Sequence, residues 1–323
     1  MHPALLILCT FVCIQVIYLL VFIVAFSRKK IIASVQQPLP VSVIVCAHDE
    51  EENLKELIPV LLSQDYPEFE VIVVDDRSND STFDFLIAET AKDHRLRMVH
   101  VNRTPPHVDS KKYALTLGIK AARFEWLLFT DADCRPAGNS WIKSISSHFN
   151  DATHFVLAYS PYLKMKGFLN AFIRFDTLIT AIQYVSFAVL GNPYMGVGRN
   201  LAYRRSRFLE VKGFNDMLGI TGGDDDLFVN RYARGKNTSV CIEPGSQTNS
   251  KPKTTLGNFL HQKIRHLSVG RHYRFGHRLL LGLFMISWLG FWAAVIPVLV
   301  AGEYYIGGSL IIFRIILVIL TVH

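Results

Sequence analysis

The sequence predicts an α/β protein with a mostly parallel sheet, carried by one N-terminal and two C-terminal transmembrane helices. Three observations lead there. Short β-rich apolar runs alternate with helical periodicity between residues 41 and 133, which is the pattern of βαβ units. The apolar excess sits in a segment at the N-terminus and in a block after residue 278. The whole chain of 323 residues is 50% hydrophobic and only 19% charged, with a mean hydropathy of +0.25. Soluble domains carry roughly 25% charge, so this composition argues against an ordinary soluble enzyme and excludes a disordered or fibrous chain.

The first apolar run, Ala4 to Phe26, carries no charged side chain and is long enough to cross a bilayer as a helix. A cleaved signal peptide would need a basic start and a small-residue cleavage site. Here the chain starts Met1-His2-Pro3, and the charge of Arg28-Lys29-Lys30 follows the run. An uncleaved anchor is therefore expected, with its N-terminus outside and the globular part in the cytoplasm. Leu279 to Val300 is a second span, Ala301-Gly302-Glu303 a turn, and Tyr304 to Val322 a third span interrupted by Arg314. A cation inside a span is costly, so Arg314 is expected to be functional, paired, snorkelling or facing a neighbouring helix. The sequence stops at His323, directly after this span, which leaves truncation open. The expected organisation is an anchor over residues 1–30, an α/β domain over 38–250, an interfacial segment over 251–278 and two spans over 279–323.

Within the α/β stretch, Val41 to Cys46 reads as a buried parallel strand. Glu51 to Gln64 is helical, with Leu54, Leu57, Ile58, Leu61 and Leu62 on its periodicity. Val71 to Val74 is a second strand and ends in Asp75-Asp76. Capping side chains at 78–81 precede a helix from Phe83 to Lys92. Arg97 to Val101 is a third strand and Lys111 to Arg123 a helix. Trp126 to Phe129 is a fourth strand, running into Asp131-Ala132-Asp133. Gly167 to Leu190 is strongly apolar and is readable as core, as an interfacial helix or as part of an acceptor groove.

Charge narrows the partners. The net charge is +7, with a pI near 9.1. Arg28, Lys29 and Lys30, and then Lys263, Arg265, Arg271, Arg274 and Arg278, flank the apolar runs, as expected beside an anionic membrane surface. No nucleic-acid signature accompanies them. The five cysteines, Cys9, Cys13, Cys46, Cys134 and Cys241, show neither zinc spacing nor a disulfide framework, and they read as small apolar fillers in a reducing compartment.

In an open parallel sheet, ligands bind at the carboxyl ends of the strands. Acidic residues gather there: Asp49 and Glu50, Asp75 and Asp76, Asp131 and Asp133. No glycine-rich loop follows the first strand, which disfavours a dinucleotide site or a P-loop. The carboxylates of Asp131 and Asp133 fall on one side of an extended backbone, and hard oxygen ligands suit Mg²⁺ or Mn²⁺ gripping a diphosphate. Solvated turn aspartates are the bland alternative. Gly222-Gly223-Asp224-Asp225-Asp226-Leu227 crowds three carboxylates that raise one another's pKa, as suits a general base near neutral pH. A helix N-terminus collecting acids for its dipole would look the same. Gly196 to Arg205 reads as a strand whose glycines let a ligand approach Arg199. Gln262 and Arg265 share a helical face ahead of the second span, where Arg265 could meet a pyrophosphate or the helix could lie on headgroups.

Taken together, these motifs resemble those of a family-2 glycosyltransferase with the GT-A fold. Residues 46–54, Cys-Ala-His-Asp-Glu-Glu-Glu-Asn-Leu, are similar to the family's opening strand and Asn-Glu-Glu turn, with Asp49 in the Asn place. Residues 73–82 resemble its Val-Asp-Asp-x-Ser-x-Asp-x-Thr motif, and residues 111–115 its Lys-x-x-Ala-Leu step. Asp131-Ala132-Asp133 is similar to the metal motif and Gly223-Asp224-Asp225 to the base motif. Gln262-Lys263-Ile264-Arg265-His266 resembles the Gln-x-x-Arg-Trp motif of membrane-bound members, with His266 replacing the Trp. The resemblance covers about residues 40–275.

The resemblance implies a Rossmann-like GT-A domain and an inverting, metal-dependent transfer of a sugar from a nucleotide sugar. Glu50 and Asp76 would hold the nucleotide's base and ribose, with Lys111 nearby. Asp131 would face the uridine or the donor sugar, and Asp133 would bind Mg²⁺ or Mn²⁺. Asp225 is preferred as the base, with Asp224 one residue away as the alternative. Gln262, Arg265 and Arg199 would meet the acceptor or the pyrophosphate. Three spans are few for a polysaccharide channel, so the expected acceptor is lipid-linked and membrane-associated. The rivals are a processive synthase of the hyaluronan or poly-N-acetylglucosamine type, a sugar nucleotidyltransferase, and a non-catalytic membrane subunit.

Overall fold

The computed structural model describes residues 3–27 and 37–322. Arg28, Lys29 and Lys30, the basic flank of the first span, lie outside the described residues, as do Met1, His2 and His323. The chain forms two units, one made of residues 31–272 and the other of residues 1–30 and 273–323.

In chain order the elements begin with α1 (Pro3–Ser27), then β1 (Val41–Ala47), α2 (Glu51–Leu62), β2 (Phe69–Asp75) and α3 (Thr82–Thr90). Next come β3 (Leu96–His100), α4 (Ser110–Ala121), β4 (Trp126–Asp131), β5 (Cys134–Pro136), α5 (Trp141–Ser146) and β6 (Phe155–Ala158). The chain continues with α6 (Phe168–Val189), β7 (Leu201–Arg204), α7 (Arg205–Glu210), α8 (Asp226–Tyr232), β8 (Thr238–Cys241) and β9 (Thr248–Ser250). It ends with α9 (Leu256–Gly270), α10 (Phe275–Val300) and α11 (Tyr304–Val322).

Among the described residues, seven strands form one sheet in the order β3-β2-β1-β4-β7-β6-β8. The β3-β2-β1-β4 half is parallel throughout. β7 runs antiparallel to both β4 and β6, and β6 pairs with β8 in parallel. A small antiparallel pair, β5 and β9, stands apart from this sheet. Chain order reverses at β1, with β2 on one side and β4 on the other. Their carboxyl ends therefore open a crevice of the kind that holds ligands in open α/β sheets.

The expected strands are present, and in β1, β2 and β4 the apolar runs are buried on both faces, while edge strand β3 is only partly buried. Val41, Val43 and Val45 of β1 and Val71 and Val73 of β2 pack with Leu54, Leu57, Ile58 and Leu61 of α2. Each such side chain contributes about 1.5–3 kcal/mol on full burial. On the other face α4 approaches very closely at Gly118. A Cβ there would lie 2.8 Å from Val74 Cγ2 and 3.0 Å from Ile44 Cγ2.

One expected element is different. Residues 196–200 do not continue a strand, because Gly198–Asn200 forms a 3-10 turn and β7 begins only at Leu201. Side chains hold the turn. Asn200 Nδ2 donates to the carbonyls of Tyr159 and Ser246, and Asn200 Oδ1 accepts from Trp141 Nε1. These bonds compete with a ladder, as short polar side chains commonly do.

Among the described residues, four helices are long and apolar enough to cross a membrane: α1, α6, α10 and α11. For α6 the second half is buried in the globular unit, where Tyr184 donates its hydroxyl to Ala158 O. Helices α1, α10 and α11 make up the other unit. Leu5, Leu8 and Val12 pack against Phe291, Ala294, Val295 and Val298. Arg314 is buried among these three helices. Its Nε donates to Gln15 Oε1 at 2.6 Å, and its guanidinium lies 4.5 Å from the ring centres of both Trp288 and Phe291. Of the readings left open for Arg314, this arrangement is the one in which it is paired and faces neighbouring helices.

Candidate active site

Left-handed turns follow both β1 and β2, at Asp49 (φ 56°) and Arg77 (φ 59°). They bring the two loops together. Asp49 Oδ1 accepts from the backbone N–H groups of Asn79 and Asp80, and Asp49 N–H donates to Ser78 Oγ. Thr82 Oγ1 accepts from Glu50 N–H, and Asp80 accepts from the N–H groups of Glu51 and Thr82. Asp49, Asp80 and Thr82 therefore shape the loops, while Glu50 and Asp76 remain at the strand ends. Glu50 accepts from Asn53 Nδ2 at 2.6 Å. Burial first, then the charges of Asp133 and Asp131, push its carboxyl above the usual range. Asp76 is nearly buried and pairs with Arg77 Nε at 2.8 Å.

At the crevice between β1 and β4 lies a cleft of about 330 Å³. It is lined by Cys46, Lys111, Asp131, Gly198, Asp224 and Asp225, with Tyr203 and Phe129 behind them. Four residues expected from the sequence thus meet in one place. Lys111, from the first turn of α4, has its Nζ 3.2 Å from Asp131 Oδ1 and 3.3 Å from Asp224 Oδ2. Burial alone would lower the Lys111 pKa. The carboxylates of Asp131, Asp224 and Asp225 overcome this and hold it well above its ordinary value. Asp131 shows the reverse: burial pushes it up, but Lys111, then Arg199 and Arg265, keep it below the usual range.

Asp225 is held differently. Its Oδ2 accepts from Gly198 N–H at 2.6 Å and its Oδ1 from Asp226 N–H at 2.7 Å. Burial first, and the Asp224 charge second, raise its pKa. Asp224 faces a cation and Asp225 does not hydrogen-bond one, so the two neighbouring carboxylates have separate electrostatic roles.

The Asp131, Asp133 and Cys134 ligand atoms lie within 4.8 Å of one another. Burial pushes the Cys134 thiol up, and the two carboxylates are the hard donors of the set. Paired hard oxygens at the mouth of a sheet fit Mg²⁺ or Mn²⁺.

A second cleft, of about 560 Å³, lies between α6, α9 and the turn before β7. Arg199 and Gln262 line it, together with Tyr159, Tyr162, Lys263 and His266. Arg199 stacks on the Tyr162 ring at 4.7 Å and donates to Ser160 Oγ and Ser160 O. Gln262 donates to the Tyr162 hydroxyl at 3.4 Å. Arg265 is exposed on α9 and is not among the lining residues. His266 is exposed on α9 yet lines the same cleft, where desolvation first, then Arg265 and Lys263, lower its pKa.

Sequence reasoning missed Lys112. Its side chain is fully buried, and its ammonium donates to the carbonyls of Ile220 and Gly222. It pins the loop that delivers Asp224 and Asp225. A buried lysine beside a half-buried one leaves no signal in composition or periodicity. Tyr159 and Tyr162 also went unmarked, because the segment between β6 and α6 carries no regular pattern.

Comparison with known proteins accords with this geometry. Residues 42–210, just over half of the chain, match the family described as glycosyl transferase family 2. A poly-beta-1,6-N-acetyl-D-glucosamine synthase of Staphylococcus epidermidis is 33% identical over 111 residues, covering 33% of this chain and 25% of that protein. An Escherichia coli protein, UDP-Glc:alpha-D-GlcNAc-diphosphoundecaprenol beta-1,3-glucosyltransferase WfaP, is 28% identical over 132 residues, covering 40% of this chain and 48% of that protein. The matched stretch thus spans a quarter to about half of these relatives. Among solved structures, the mannosyltransferase PcManGT from Pyrobaculum calidifontis, in complex with GDP-Man and Mn²⁺, superposes with a TM-score of 0.68 at 17% identity. That superposition covers 98% of this chain and 91% of the other, and it identifies the fold as GT-A-like.

Proposed function

The chain belongs to glycosyl transferase family 2, and from that premise we propose that it transfers a sugar from a UDP-sugar to a lipid-linked acceptor at the membrane, with inversion. The observation that carries this reading is the convergence of Lys111, Asp131, Asp224 and Asp225 on one cleft at the β1/β4 crevice. In this reading Glu50 and Asp76 bind the nucleoside and Asp131 orients the donor. Asp133, with Asp131 beside it, would hold Mg²⁺ or Mn²⁺. The metal, when bound, neutralises the diphosphate.

Asp225 acts as the base. Its raised pKa suits proton uptake from an acceptor hydroxyl, and Gly198 and Asp226 hold its carboxylate in orientation. The freed oxygen attacks the anomeric carbon from the face opposite the nucleotide, and the nucleoside diphosphate leaves. Asp224, paired with Lys111, supplies the charge that keeps Asp225 basic. Asp224 is the alternative base if the register shifts by one residue.

The cleft of Tyr159, Tyr162, Arg199, Gln262 and Lys263 is the proposed acceptor side. Its aromatic walls suit a sugar, and Arg199 and Lys263 suit an acceptor phosphate. Arg265, exposed on α9, would add positive charge near the mouth. The apolar residues Leu256, Leu260, Ile264 and Leu267 on the exposed face of α9 support an interfacial position. The boundaries 38–250 for the catalytic domain and 251–278 for the interfacial segment follow from this reading. So does a catalytic domain on the cytoplasmic side of the cell membrane.

The test uses the purified full chain in detergent, a labelled UDP-sugar and a membrane lipid extract. The expected product is one sugar added to an extractable lipid. The name of the staphylococcal relative favours a second reading, a processive poly-N-acetylglucosamine synthase. Extended polymer from a single nucleotide sugar would establish that reading and overturn the lipid acceptor.

A further inference from the structure

Away from the donor cleft, the far edge of the main sheet carries a second constellation of metal-ligating atoms. Edge strand β8 ends at Cys241, and Glu243 follows it by two residues. His148 follows the C-terminus of α5. Their ligand atoms all lie within 4.8 Å of one another. Cys241 Sγ is 2.9 Å from Glu243 Oε2, and His148 Nε2 is 3.7 Å from the same oxygen. His148 Nδ1 lies 2.8 Å from Ser239 Oγ. When Nδ1–H donates there, the Nε2 lone pair points toward Cys241 and Glu243, the tautomer that a ligating imidazole needs.

We propose that His148, Cys241 and Glu243 form a binding site for a borderline-soft divalent cation, Zn²⁺, separate from the donor cleft. The donor set is one imidazole nitrogen, one carboxylate oxygen and the Cys241 sulfur, whose thiol burial holds protonated until the ion binds and displaces its proton to solvent. That combination selects zinc rather than the Mg²⁺ or Mn²⁺ suited to an all-oxygen pair. Around a tetrahedral ion at ordinary bond lengths of about 2.0–2.3 Å the ligand atoms stand roughly 3.3–3.5 Å apart, so Cys241 Sγ and Glu243 Oε2 separate from 2.9 Å while His148 Nε2 closes in from 3.7 Å. His148 and Cys241 are buried while Glu243 is half exposed, which gives the ion an entry path and leaves a fourth position for water. Ser239 supplies the outer contact that fixes the ring. The bound ion would tie the end of α5 to edge strand β8, closing that edge of the sheet. The ligands come from segments remote in sequence, so no spacing motif announces them.

The experiment uses the full chain in detergent, stripped with chelator and then titrated with Co²⁺ as a spectroscopic probe and with Zn²⁺ by calorimetry. The expected result is one equivalent of Co²⁺ giving a near-ultraviolet thiolate charge-transfer band, displaced by Zn²⁺. Cys241→Ser removes the band, and Cys134→Ser, at the donor-side carboxylates, keeps it. Glu243→Gln, at a half-exposed position that does not threaten folding, abolishes the Zn²⁺-dependent rise in melting temperature. Ser239→Ala weakens Zn²⁺ binding by roughly 10–100-fold. No thiolate band in the wild type, or a band carried by Cys134 instead, overturns the proposal. These readouts are spectroscopic and thermal, so they stand whatever the transferase assays give.

Discussion

Gly198 donates its backbone N–H to Asp225 Oδ2 at 2.6 Å, joining the turn before β7 to the carboxylate proposed as the base. A Cβ at position 198 would lie 3.1 Å from Asp225 Oδ2 and 3.3 Å from Asp225 Cβ. Gly198→Ala therefore displaces the carboxylate by a few tenths of an ångström without touching the donor's nucleoside. Misplacement of about 1 Å costs on the order of a hundredfold in rate, so a loss of about tenfold in kcat is expected. Donor affinity should stay near wild type, as isothermal titration of UDP-sugar against both proteins would register.

Adjacent aspartates can be told apart by their pH profiles. The Asp225 pKa lies above the ordinary carboxylate value, and a base works only when deprotonated. Activity should therefore be lost on the acid side at a higher pH than an ordinary carboxylate would give. Asp225→Asn should reduce transfer by at least about a hundredfold and spare donor binding. Asp224→Asn removes the second cause of the upward shift, so its acid limb should move to lower pH while activity persists. The opposite pattern, with Asp224→Asn inactive and Asp225→Asn active, makes Asp224 the base.

Buried Lys112 holds the carbonyls of Ile220 and Gly222. Lys112→Met leaves both acceptors unpaired, which costs about 2–3 kcal/mol at typical values for charge-assisted bonds. The melting temperature should fall accordingly. Transfer should fall further than stability alone explains, because the loop delivering Asp224 and Asp225 loses its tether. A Lys111→Met variant should keep the melting temperature closer to wild type, since Lys111 is partly exposed and its pair with the partly exposed Asp131 is screened.

In the helical unit, Gln15 bridges Arg314 and the Ser287 carbonyl. Replacing it by Leu leaves the guanidinium with only the Trp288 carbonyl and the rings of Trp288, Phe291 and Trp292. Interhelical polar contacts in membranes average about 0.6 kcal/mol and reach about 1.7, so Gln15→Leu should lie at the upper end of that range. Thermal unfolding in detergent measures it.

How much of this could be read from sequence depends on the element. The strands β1, β2 and β4 were legible because each is an unbroken apolar run that ends in carboxylates. The candidate spans were legible because they are long and apolar, with Arg314 the one charged side chain in the stretches 4–26, 279–300 and 304–322. The strands β5, β6, β8 and β9 are only three or four residues long, too short for a period to establish itself. The 196–200 segment misled because its glycines and apolar residues look like a strand, while Asn200 and Arg199 bend it through side-chain bonds that only the folded chain supplies. Asp131, Asp224 and Asp225 stood out as clustered charges. Lys112, Tyr162 and the His148 cluster did not, since their importance comes from where distant segments meet.

The most direct test of the central claim is nucleotide release from a panel of UDP-, GDP- and dTDP-sugars by the purified chain. It is run with Mn²⁺ or EDTA and with lipid extract present or absent. The account predicts release of UDP from one sugar, raised by the extract, abolished by EDTA and lost in Asp133→Ala. Release of nucleotide that is indifferent to EDTA and to Asp133→Ala would contradict it, as would failure to bind or turn over any donor.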